Sequence, residues 1–177
     1  MIYKFRMLSD EDELFLRDFE VDADSTFYTF HKAIQENLGF DPGQLASFFL
    51  ADEQWNKGME LTLIDMQNDT EMAAIPMDKV KIKELMCNRR ERLLYVYDIF
   101  TDRSLFIELI DILEPNPAVK YPVCTASVGD APIQLAEDFA FEEDIPLEEP
   151  NEINDIFDEY NDEEGLGNLG FEDKDEW

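Results

Sequence analysis

The stretch YVYDIFTDRSLFIELIDIL, residues 95–113, decides the fold. Aromatic and β-branched residues fill both ends of it, and DIFTD, with its aspartates and threonine, interrupts them as a turn does. It reads as two β-strands folded back on each other. Upstream, Leu94, Val96 and Asp98 alternate with Leu93, Tyr95 and Tyr97. Large side chains on both faces predict a strand covered on both sides, at the centre of a sheet.

Working outward, IYKFRM and ELFLRDFEV flank the polar SDED and predict an N-terminal hairpin. DADSTFYTFHKAIQENLGF follows. Asp24 or Ser25 is suited to cap a helix there and Gly39 to end it, and Phe27, Phe30, Ile34 and Leu38 recur at steps of three and four. This is the one long amphipathic helix, with Tyr28 and Lys32 projecting away from its apolar stripe. ASFFLAD and MELTLI predict two more strands, NDTEMAAIPMDKV reads as a loop broken by Pro76, and KIKELM reads as one helical turn. EPNPAVKYPVC, with three prolines, is excluded from a central strand. The order gives an α+β fold: a mostly antiparallel sheet with one main helix packed on it, plus an acidic C-terminal tail.

The charge is the other dominant feature. The 177 residues carry a net −29, which argues against contact with nucleic-acid phosphates or anionic lipid and permits a basic protein partner or cations. Residues 137–177 hold 18 acidic residues against the single basic Lys174, a net −17, and the remainder carries −12. We therefore expect a boundary at 136/137, with an α+β domain over 1–136 and an acidic, partly disordered tail over 137–177. Within the tail, Ile153, Ile156, Phe157 and Tyr160 share one helical stripe behind Pro150 and Asn151. They read either as a short helix packed back on the domain or as a segment that folds on a partner. With Trp177 they are the candidate partner-binding residues.

Catalytic and metal motifs give little. No phosphate-binding glycine loop, zinc-protease helix or nucleophile elbow occurs. His31, the single histidine, lies about 40° around the helix from Phe27 at about 100° per residue. It is expected at the edge of the core, hydrogen-bonded to a backbone carbonyl. Cys87 and Cys124 form no metal-ligand pair, and Cys124 is expected to be a small buried apolar residue. No cofactor and no metal are expected. An N-terminus that turns acidic at once, two well-separated cysteines and no apolar run long enough to span a bilayer predict a cytoplasmic protein.

FHKAIQENLGFD, LLYVYDIFTD, LIDILEP, and VKYPVC followed by GDAP resemble, in order and spacing over about residues 2–136, the plasmid pRiA4b Orf-three-like domain family. The resemblance implies a compact helix-on-sheet α+β domain and carries no established activity. Tyr97 and Asp98 match the family pattern and Asp102 fits its acidic turn. Phe100 stands where the family usually has Gly, Arg103 where it has Trp, and Leu105 where it has His. Gln44, Leu45 and Ala46 take the place of a His-Leu-His, and Ala131 that of a second Cys, with Cys124 kept. The resemblance thus implies a divergent member lacking the family's histidines, and the 95–113 hairpin reads as core rather than as a histidine-based active site. A non-enzymatic interaction protein is the expectation. The alternatives are a carboxylate-based metal-dependent hydrolase and a nucleic-acid mimic.

Overall fold

The structure, a computed structural model, describes residues 1–65 and 74–135, all of which lie in the unit Met1–Ala140. Among the described residues one sheet of eight strands carries a single long helix. In chain order the elements are β1 Ile2–Ser9, β2 Leu16–Asp22, α1 Phe27–Leu38, β3 Ser47–Ala51, β4 Lys57–Thr62, β5 Ile75–Pro76, α2 Ile82–Leu85, β6 Arg92–Asp98, β7 Arg103–Leu113 and β8 Val123–Val128. Across the sheet the strands run β5-β4-β3-β6-β7-β1-β2-β8. Every pairing is antiparallel except β4 with β5. The fold is α+β, a mostly antiparallel sheet with one main helix.

Burial of β6 from Leu93 to Asp98 follows from its position between β3 and β7. On β7, Leu105, Ile107 and Leu109 alternate with half-buried neighbours, the period-two pattern of a strand with one face in the core. α1 lays Phe27, Phe30, Ile34 and Leu38 on that core. Phe30 sits at its centre, stacked on Phe5 at 4.9 Å and Phe48 at 5.7 Å and edge-on to Phe19 at 5.8 Å.

Two local expectations are corrected. The helix cap is Thr26, whose hydroxyl accepts from the Thr29 N–H, rather than Asp24 or Ser25. The chain stays extended for one more step because Thr26 pairs with Lys81 and the Ser25 carbonyl accepts from Ile82. Asp24 is drawn off to Lys81 and Lys83. At the other end Gly39, at φ 68°, takes the left-handed turn expected of it. Pro76 does not lie in a loop: with Ile75 it forms the parallel edge strand β5, where a missing N–H disturbs no further neighbour. The proline-rich segment stays out of the centre of the sheet, as its prolines require, and leads into an edge strand that its composition hides. Beyond Pro122, β8 pairs with β2 and forms the opposite edge.

Candidate functional site

The turn between β6 and β7 is held by charge and hydrogen bonds. Asp98 is buried at the end of β6, where it accepts from the backbone N–H groups of Phe100 and Thr101 and, at 2.6 Å, from the Thr101 hydroxyl. Asp102 adopts φ 57°, a left-handed conformation that aspartate tolerates better than most residues, and closes the turn. Arg103 donates from Nε and Nη2 to the two carboxylate oxygens of Glu11 at 2.6 and 2.7 Å and lies over the Tyr97 ring. The Arg103 guanidinium holds the Glu11 carboxyl below the usual range, and burial pushes the Tyr97 phenol up. Asp102 pairs with Lys57 of β4, so the charged groups of the turn are tied to neighbouring strands and loops. The pairing of Glu11 with Arg103 was not legible in the sequence, because SDED reads as a solvated turn.

A double-mutant cycle on Glu11→Gln and Arg103→Met checks this arrangement by urea unfolding. The expected coupling is about 1 kcal/mol, the upper end for a partly exposed pair, because the contact is bidentate. A coupling indistinguishable from zero would remove the pair from the account of the turn.

Two of the positions that depart from the family pattern, Gln44 and Phe100, meet in space. Gln44 and Leu45 line the same notch, about 150 Å³, as Tyr97, Asp98, Ile99 and Phe100. Leu105 is fully buried in the core, Ala46 is buried, and Ala131 packs against the core. Phe100 projects into solvent. The loop after α1 and the β6–β7 turn, separate in sequence, therefore meet in one notch.

Two clefts flank α1. One, about 670 Å³, lies between the helix and the approach to β8, with Phe19, Thr29, Lys32, Asn37, Tyr121 and Cys124 among its walls. Cys124 is half-buried rather than a fully buried core residue, because β8 is an edge strand. Its thiol is pushed up by burial, opposite to the shift that makes a reactive thiolate. Arg17, which the sequence does not single out, is buried beside Asn37. Its guanidinium donates to the carbonyls of Leu16, Val128 and Gly129 and to Asn37 Oδ1, clamping β2, β8 and α1 together.

The second cleft, about 410 Å³, lies against α1, the loop after it and the end of β4, and His31 and Gln35 form part of its wall. His31 is more deeply buried than its expected place at the core edge. Its partner is the Tyr95 hydroxyl, 2.9 Å from Nδ1, rather than a backbone carbonyl. Burial lowers the His31 pKa to about 4, so the imidazole is neutral at pH 7. Among the described residues no group of three His, Cys, Asp or Glu side chains is placed to hold a metal ion. The candidate partner-binding residues Ile153, Ile156, Phe157, Tyr160 and Trp177 lie outside the described residues.

A single long helix on a mostly antiparallel sheet, with the 95–113 hairpin at its centre, defines a two-layer α+β protein. The chain belongs to the family of plasmid pRiA4b ORF-3-like proteins, whose profile matches residues 2–144. A crystal structure of a protein of unknown function from Methanosarcina mazei Go1 shares the fold, with a TM-score of 0.59 at 22% identity over 71% of this chain and 68% of that one. No functionally curated protein matches the chain. No helix among the described residues is long and apolar enough to cross a membrane.

Proposed function

We propose that this is a non-enzymatic interaction protein, in which the α+β body is the scaffold and residues 137–177 recognise a basic protein partner. The observation that carries the reading is where the charges go. Arg6, Lys57, Lys81, Lys83, Arg89, Arg92 and Arg103 are each ion-paired with a carboxylate of the body itself. Lys4, Lys32, Arg90 and Lys120 are not paired in this way among the described residues, but residues 1–136 still carry a net −12, and residues 137–177 concentrate the excess of carboxylate at −17. Charge at that density speeds encounter with a basic surface, and interleaved aromatics supply anchors. Ile153, Ile156, Phe157, Tyr160 and Trp177 are the proposed anchors. The same balance of charge disfavours direct binding to nucleic acid. The unpaired cysteines, Cys87 exposed and Cys124 half-buried, support a reducing, cytoplasmic setting.

Affinity capture with the full chain, with a chain ending at Ala136 and with Phe157→Ala supplies the test. Basic proteins retained by the full chain, and lost with both variants, are the expected result. A partner retained equally by all three would take residues 137–177 out of recognition. Retention by Phe157→Ala alone would mean that bulk acidity, not the aromatic anchor, is what the partner reads.

A further inference from the structure

We propose that the cleft against the C-terminal half of α1 binds a small, neutral molecule bearing a carboxamide on an apolar body. The fold buries two polar side chains that make no hydrogen bond to a described residue on their cleft side. His31 and Gln35 lie one helical turn apart and are only 2% and 6% exposed. The Tyr95 hydroxyl is fully buried and has His31 Nδ1 as its one hydrogen-bond partner. A buried hydroxyl proton left undonated is costly, so Tyr95 donates and Nδ1 accepts. The imidazole therefore carries its proton on Nε2. Nε2–H and the Gln35 side-chain amide make no hydrogen bond to any described residue, yet no buried side-chain polar atom lacks a partner. Both groups accordingly reach the wall of the cleft that the two residues line.

What they present selects the ligand. Nε2–H is a donor only, and the Gln35 amide offers both a donor and an acceptor. A carboxamide answers all of these: its oxygen accepts from His31 and Gln35, and its N–H donates to Gln35 Oε1. A carboxylate has no donor for Gln35 Oε1. It also meets a chain of net charge −29 and a cleft whose one cation among the described residues, Lys32, is accompanied by Glu36. Tyr28, Phe40 and Leu63 give the cleft apolar and aromatic walls for the rest of the molecule. Its volume, about 410 Å³, suits a small organic ligand.

The test uses the full chain, ¹⁵N-labelled, titrated at neutral pH with phenylacetamide and separately with phenylacetate, following the His31 ring nitrogens and the Gln35 side-chain amide by NMR. Saturable shifts of both groups with phenylacetamide in the millimolar range are expected, with phenylacetate at least ten-fold weaker. Gln35→Leu should weaken the amide at least ten-fold while the backbone amide spectrum keeps its dispersion, and Gln35→Glu, which loses the amide donor, should not restore it. Shifts with neither compound would make the cleft a water-filled notch and overturn the proposal. Equal or tighter binding of phenylacetate would overturn the carboxamide assignment. Unchanged affinity in Gln35→Leu would overturn the site.

Discussion

Phe30→Ala is expected to destabilise the protein by about 3–5 kcal/mol, the range for removing a fully buried phenylalanine. Phe30 is fully buried, and its ring touches β1 through Phe5, β2 through Phe19 and β3 through Phe48. Truncation would empty the point where helix and sheet meet, and the three remaining rings belong to separate strands that cannot all close the gap without shifting the sheet. Urea unfolding followed by far-ultraviolet circular dichroism measures the effect. Phe30→Leu should recover much of the loss, because it restores volume without the stacking. A loss below about 1 kcal/mol for Phe30→Ala would mean that α1 does not carry the core.

The second large effect is a dependence of stability on pH that passes through His31. In the unfolded chain the imidazole takes up a proton near its ordinary value of 6.5, whereas in the folded protein burial delays this to about 4. Between those values the unfolded state binds more protons, so acidification favours unfolding. The stability is fully present above the unfolded value and is lost as pH falls towards the folded one. Integrated over that window, the loss from this residue is about 3 kcal/mol. Carboxylates held by cations add a loss at lower pH, and relief of the chain's self-repulsion acts in the other direction. The His31 share is therefore read as a difference from His31→Gln. Comparing unfolding free energies at about pH 7 and about pH 5, the native chain should lose about 2 kcal/mol more than the variant. Parallel behaviour of the two proteins would show that the imidazole is not buried neutral.

Much of this architecture is written in local pattern, and what is not has identifiable causes. The α1 stripe and the apolar coverage of β6 announce themselves, because the helical period and the strand alternation each fall within one element. β8 does not: VCTASV is short, mildly apolar and preceded by prolines, and it becomes a strand because β2 offers it an unpaired edge. β5 is two residues long and exists only beside β4. Thr26 became the cap because of Lys81, which lies 55 positions away in the chain. At the clefts the same limit applies more strongly. His31 is visible at the edge of the apolar stripe, while Gln35, one turn on, is not singled out by the sequence. That their shared wall would be a cleft depends on the loop at Phe40 and on Leu63, and the tautomer of His31 depends on Tyr95, 64 residues downstream. Arg17 looks like a solvated strand residue until the β8 carbonyls arrive to meet it.

The central claim, that recognition resides in residues 137–177 and is electrostatic with aromatic anchors, is tested most directly by one titration. A basic partner obtained by affinity capture is titrated calorimetrically against the full chain across a series of ionic strengths. The account predicts that affinity falls steeply and monotonically with added salt, since exposed charges are screened beyond about 8 Å at physiological ionic strength. It also predicts that a chain ending at Ala136 binds at least ten-fold more weakly at the lowest salt. Affinity that is independent of salt and the same for both chains would contradict it.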